Sequence, residues 1–311
     1  MTDLRSTPAS WPSLPLDEWR DTYATLHMWS QIVGKTKLAC SPALNHWWHV
    51  ALVVSARGLT TGVMYHGGRA FEVEFDFMDH VLFIRTSDGQ TETLALGPRP
   101  VAEFFAEYLA ALRRLGIHLS LYGVPVEVET AIPFAKDREH ASYDPEYASR
   151  VWRIFVLTDR VLREFRGGFQ GKASPVHFFW GGFDLAVTRF SGRRAPEHPG
   201  GIPNVAAWVM REAYSHEVAS AGFWPGSGPV KEAAFYAYAY PEPEGFAAAP
   251  VRPRDAFYHT EMREFILPYE AVRTARSPEA ALLDFLQSTY DAAANLGAWD
   301  RAVLERPHPP A

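Results

Sequence analysis

The sequence predicts an α+β fold: an internal duplication of an α-β-β-β-β-α unit, with antiparallel sheet and helices packed on one face. Three observations predict it. Apolar residues recur at helical spacing at both ends of each half of the chain, and strand-like runs fill the space between them. A shift of 133 residues also brings the halves into register. In that register Trp19-Arg20 falls on Trp152-Arg153, Thr25 on Thr158, Gly34 on Gly167, Ser41-Pro42 on Ser174-Pro175, Trp47 on Trp180, Leu52 on Leu185 and Val54 on Val187. The units span residues 11–123 and 146–305 and are expected to pack as one body. An aperiodic, proline-bearing linker, 124–145, joins them.

In the first half Trp19, Tyr23, Leu26, Trp29 and Val33 mark a helix. The runs WWHVALVVSA, AFEVEFDF, HVLFIRT and TETLAL then read as strands, with Asp88-Gly89 as a hairpin turn between the last two. Pro100 opens a closing helix whose Val101, Phe104, Phe105, Tyr108, Leu112 and Leu115 share a face. The second half repeats the order. Trp152, Phe155, Leu162, Phe165 and Phe169 form a helical stripe, and FFWGGFDLAVTRF, AYSHEVASA, AAFYAYAY and EFILPY follow as strands. Ser277-Pro278 is good N-terminal chemistry for a last helix, and both closing helices stop at glycine, Gly116 and Gly297. Those glycines are 181 residues apart rather than 133, so the second half carries 48 additional residues (181 − 133). The Gly/Pro-rich stretches 191–204 and 240–255 are their natural hosts. Long irregular loops in compact domains are usually functional or disordered, which points to the second half as the home of a site.

Alternation along strands assigns faces. Val50, Leu52 and Val54, matched by Phe183, Leu185 and Val187, are expected to meet the helices, as are Phe71, Val73, Phe75 and Phe77. The opposite face would carry Trp47, His49 and Ser55, then Trp180, Asp184 and Thr188, with Glu72, Glu74 and Asp76 beside them. Charged residues on a solvated sheet face are ordinary. Tryptophans there are not, so Trp47 and Trp180 call for a cover or a ligand.

The chain has 311 residues, 47% of them hydrophobic, enough for a large core. A net charge of −6 without a basic stripe argues against a nucleic-acid binder. The N-terminal stretch has no apolar signal region, and no run is long enough to span a membrane. One cysteine, Cys40, excludes an internal disulfide and fits a reducing cytoplasm; packing suits it better than nucleophilic work.

The chemistry-bearing residues cluster in the second half. Asp184 interrupts an apolar strand. A carboxylate buried there needs a partner, or else acquires the raised pKa of a general acid or base. His216 and His177 are the accompanying candidates for proton transfer. Arg189, Arg193, Arg194 and His198 are suited to hold an anionic group, although Arg189, Arg193 or Arg194 could equally be structural partners of Asp184. Trp47, Trp180 and Trp224 would form walls, and Tyr214 and Tyr238 would add hydroxyls; the ladder Tyr236, Tyr238, Tyr240 reads first as packing. The 12 histidines include HWWH (46–49) but no HExxH, and one cysteine rules out a zinc knuckle, so a metal site is not favoured. No GxxxxGK[ST], no GxGxxG between strand and helix and no GxSxG occurs, so nucleotide and flavin sites carry no motif and the cofactor is left open. GGFQGK (167–172) follows a helix and reads as its C-terminal turn.

The strings GRRAPEHPGG, REAYSHEVASAGFWPG and FYAYAYPEPEGF, with WRDTYATLHMWSQIVGK near the N-terminus, resemble a bacterial family known only as a domain of unknown function. The resemblance covers nearly the whole chain and implies one unit over residues 11–305, without a reaction. The expectation is therefore a cytoplasmic small-molecule enzyme using general acid–base chemistry on an anionic or aromatic ligand, with no nucleic-acid or membrane partner and with room for a homo-oligomer. A non-catalytic ligand-binding or interaction module is the alternative.

Overall fold

The computed structural model describes residues 10–306. Helix α1 (Leu16–Cys40) carries the expected stripe but is buried far beyond it: every residue from Met28 to Thr36 is covered. A helix enclosed on all sides belongs at the centre of a core. Its buried hydroxyls are satisfied within the helix or across it, Thr36 donating to Ile32 O and accepting from Tyr108. Cys40 is buried at its end, and burial pushes its thiol pKa up, as suits packing rather than reaction.

Strands β1 (Val53–Val54), β2 (Gly58–Thr60), β3 (Met64–His66), β4 (Arg69–Asp76), β5 (Val81–Thr86) and β6 (Thr91–Ala95) form the first sheet, in the order β1-β2-β4-β5-β6 with β3 also on β4, all antiparallel. The β5–β6 turn falls on Asp88-Gly89, with Gly89 at φ 85°. Phe71, Val73, Phe75 and Phe77 are buried in the core, as alternation predicts. The run WWHVALVVSA is a correction. Asn45–Trp47 is a 3-10 turn with His46 and Trp47 at positive φ, and regular pairing begins only at Leu52. Helix α2 (Val101–Arg114) closes this half, with Gly116 at φ 73° just past its end. Such a left-handed exit is favoured by glycine.

The connecting stretch is ordered. Phe134 and Asp137 within it are fully buried, and Asp137 accepts from the backbone of Glu139 and His140. Asp144 then caps helix α3 (Pro145–Gly167), accepting from Glu146 N and Tyr147 N ahead of Pro145 at the first turn.

The second sheet comprises β7 (His177–Phe179), β8 (Asp184–Arg194), β9 (His216–Trp224), β10 (Ala234–Tyr240), β11 (Phe257–His259) and β12 (Glu264–Pro268), in the order β11-β12-β10-β9-β8-β7, again antiparallel. FFWGGFDLAVTRF is two strands rather than one. Gly181, Gly182 and Phe183, the last at φ 56°, turn β7 back into β8. Helix α4 (Ala207–Ala213) lies in the first long loop. The second holds a 3-10 turn whose Phe246 is buried. Helices α5 (Tyr269–Arg273), α6 (Pro278–Leu296) and α7 (Arg301–Leu304) follow. One hydrophobic cluster runs through both halves. It joins α1, α2, α3 and α6 to the inner face of both sheets.

Among the described residues the sheets meet at a single bridge, in which Leu52 and Phe178 exchange backbone hydrogen bonds of 2.9 and 2.7 Å. Both halves run helix, antiparallel strands, helix. The residue shift of 133 sets Leu52 against Leu185 of β8, however, whereas β7, not β8, holds the matching edge position in its sheet.

Candidate functional site

The outer face of the second sheet is set by parity. Asp184, Ala186 and Thr188 of β8 lie beside Trp224, Gly222 and Ser220 of β9. Tyr236 and Tyr238 of β10 continue those rows, with Ile266 of β12 opposite Tyr236. Small residues at Ala186, Gly222 and Ser220 leave the floor low. The loop bearing α4, the 3-10 turn at Asn45–Trp47 and residues 120–127 rise around it. The result is a cavity of about 1360 Å³, larger than most small-molecule sites and lined mainly by aromatic and apolar side chains.

Gly222 decides the geometry at the floor. A side chain there would collide with Leu185 O and lie 2.6 Å from the Tyr236 hydroxyl. Without one, Tyr236 extends over β9 and donates a 2.5 Å hydrogen bond to Asp184 Oδ2. Burial pushes Asp184 up to about 6, against the opposing pull of the Tyr236 hydrogen bond. Burial and the neighbouring Asp184 raise the Tyr236 phenol far above its ordinary range, so it remains a donor.

Two further carboxyls face the same space. Glu127, at φ 58° in the connecting stretch, is held by its backbone donating to Pro203 O at 2.8 Å. Glu264 opens β12. Burial, then repulsion from Asp184, pushes each up to about 7. Glu127 is exposed, and the surface it exposes faces the cavity. A side chain at Gly181 would strike Glu127, and one at Gly182 would strike Asp184, so the β7–β8 turn needs its glycines for these carboxyls to approach.

Helix α1 fixes this end of the cavity. His27 Nε2 donates to Gly181 O at 2.7 Å, and burial holds the imidazole neutral by lowering its pKa to about 4. Gln31 clamps Val126, donating to its carbonyl and accepting from its amide, both at 2.8 Å. Lys35 lies 5.0 Å from the Tyr122 ring and 5.6 Å from that of Trp180, and burial lowers its ammonium to about 8.

The chain belongs to DUF5996, a family of unknown function. The family model matches residues 11–306. No curated protein matches the chain, and no solved structure does.

Of the residues singled out from sequence, this DUF5996 chain brings Asp184, His198, Trp47, Trp180, Trp224, Tyr214 and Tyr238 to the cavity. Tyr214 and Tyr238 share a 2.7 Å hydrogen bond, and His198 stacks on Tyr214 at 4.7 Å. Trp180 does not face away from the helices. It packs on α1, where only a glycine, Gly34, leaves room, and its indole donates to Val50 O at 2.8 Å.

The other five lie elsewhere. Arg189 has the parity of Leu185 and Val187, so it enters the helical side, where it donates to Phe165 O and lies 3.5 Å from the Phe165 ring centroid. Arg193 is exposed; it pairs with Glu217 and donates to the carbonyls of Gly297 and Ala298 at the end of α6. Arg194 is exposed at the irregular end of β8, opposite His216. His216 sits beside His46 and Arg194, and burial and neighbouring cations lower its pKa. His177 is buried under Trp48 and Phe179, and burial lowers it to about 3, which leaves it uncharged. HWWH is no ligand pair: His46 Nδ1 donates to Ala213 O, whereas His49 Nδ1 accepts from Leu44 N. Among the described residues no three His, Cys, Asp or Glu side chains are placed to hold a metal ion.

Sequence reading missed Glu127, Glu264 and Lys35 and read Tyr236 as packing. Glu264 was within reach: Phe265 and Leu267 face the core, so Glu264 and Ile266 must face the other way. Glu127 had no such signal, since its stretch has no period.

Proposed function

We propose that the protein is a cytoplasmic enzyme acting on a small, largely apolar molecule by general acid–base catalysis in this cavity. One observation carries the reading: Asp184, pushed to about 6 by burial, lies on the cavity floor in hydrogen-bond contact with the Tyr236 hydroxyl. A carboxyl near that value exchanges a proton readily around neutral pH. Asp184 is then the proton-transfer group, Tyr236 orients it, and the aromatic walls hold the substrate and limit water. The proposal drops the anion-binding role of Arg189, Arg193 and Arg194, since none of them lines the cavity. We also read the shared helix–strands–helix order of the two halves as an internal duplication.

The test is depletion of compounds from a bacterial metabolite extract, followed by mass spectrometry. The wild-type protein should consume at least one compound, and Asp184→Asn should do so about 100-fold more slowly or worse, with unchanged circular dichroism. Equal consumption by both proteins overturns the role of Asp184. Retention of a compound on the protein without turnover favours the binding-module reading.

A further inference from the structure

The cavity is charged in one sense at its centre. Glu127, Asp184 and Glu264 face it, and the charge that both glutamates feel is the carboxylate of Asp184. Glu127 and Glu264 line the cavity with no side-chain hydrogen bond or ion pair among the described residues to lower their cost. Asp184 has only Tyr236 and its own backbone. The cations on the cavity wall do not reach these groups. Arg263 is paired with Glu242 at 3.1 Å, and Lys35 lies over Tyr122 and Trp180.

Unpaired carboxylates in low-dielectric surroundings are costly, and an incoming cation relieves that cost. The walls suit the same charge. Trp47, Trp180, Trp224, Tyr214, Tyr236 and Tyr238 present aromatic surface, and ring faces attract cations. The carboxyls are too dispersed to form a metal cage, and the volume is that of an organic molecule.

We propose that the ligand of this cavity is an organic cation, an aryl-alkyl ammonium compound. Its nitrogen sits among Glu127, Asp184 and Glu264, and its hydrocarbon body lies against the tryptophans and tyrosines. The inference rests on the proposed function only in using the same cavity. Cation binding stabilises the ionised carboxyls, so it releases protons and strengthens as pH rises from about 5.5 to about 8. The other titratable groups lining the cavity are His46, His198, Lys35, Tyr122, Tyr214, Tyr236, Tyr238, Tyr240 and the Arg263–Glu242 pair. Lys35 loses charge near the top of that window, and His46 and His198, lowered by burial, lose theirs before it.

The experiment is calorimetry with three probes that share an indole body: tryptamine, tryptophol and indole-3-acetate. At about pH 7.5 tryptamine should bind about tenfold more tightly than neutral tryptophol, and indole-3-acetate most weakly. Tryptamine binding should release protons, read from its heat in buffers of different ionisation enthalpy. In the Glu127→Gln/Glu264→Gln variant the preference and its pH dependence should vanish while tryptophol affinity persists. In Lys35→Met both should remain. Tryptophol or indole-3-acetate binding as tightly as tryptamine overturns the inference, as does failure of all three to bind. Either result leaves Asp184-dependent turnover standing. Loss of that dependence with the ammonium preference intact removes the enzyme reading alone.

Discussion

The outer faces of the two sheets treat carboxylates in opposite ways. On the first sheet Glu74 accepts from Ser55 and pairs with Arg85 at 2.7 Å, Glu72 lies 3.5 Å from the same Arg85, and Asp76 pairs with Arg57 while accepting from the amides of Met78 and Asp79. On the second, Asp184 and Glu264, with Glu127 above them, have no cationic partner among the described residues and lie under a roof of loop and helix. Residue type does not distinguish the faces. Nor does burial, since Asp76 is as covered as any of them; what differs is the arginine partner, which offsets the cost of a shielded carboxylate on the first sheet and is missing from the described residues on the second.

The comparison can be broken most severely at Gly222. Gly222→Val should cost about 3 kcal/mol in stability, the upper end for forced overpacking, because the new side chain meets the fixed carbonyl of Leu185. It should also separate Tyr236 from Asp184. Urea unfolding measures the first effect and a carboxyl titration by NMR the second.

The pH dependence sharpens the contrast. Glu127, Asp184 and Glu264 are raised above their unfolded values, so the folded state holds their protons more tightly. Stability from them is present at acid pH and is lost as pH rises from about 4.5 through about 7. Asp76 is lowered, chiefly by Arg57 and the two turn amides working against burial, so its contribution is lost in the other direction, as pH falls below its unfolded value. Buried histidines such as His27 and His177 work in the opposite sense below about pH 6.5, so the carboxyls are read by difference: between about pH 5 and pH 8 the urea midpoint of the wild type should fall relative to that of Glu127→Gln/Glu264→Gln.

A smaller effect is expected from Tyr236→Phe, which removes one buried hydrogen bond to a carboxylate, about 1.5–2 kcal/mol. Asp184 should then titrate higher still. The smallest belongs to the first sheet: Arg85→Ala should cost less than about 1 kcal/mol, since its pairs are partly exposed. A larger loss would mean that the first face is not merely solvated.

Legibility in the sequence followed periodicity. The helical stripes, the Asp88-Gly89 turn and the inner faces of β4 and β8 are local patterns, and they were readable. The break of FFWGGFDLAVTRF at Gly181-Gly182 was visible as glycines but was smoothed into one long strand. Arg189 was misassigned although its parity with Leu185 was on the page; a buried guanidinium donating to Phe165 O runs against the expectation that arginines serve sites. Glu127 was unreadable in principle. It lies in an aperiodic stretch 57 residues from Asp184 (184 − 127), and only the closed fold brings them together.

The bridge between Leu52 and Phe178 is the one strand pairing between the two sheets among the described residues. Trp47 and Trp48 line the cavity from one side of that bridge, and Trp180 and Asp184 from the other. The chamber thus sits at the seam where the two sheets touch, and its walls are drawn from both, so its shape depends on how the shared core holds the sheets together.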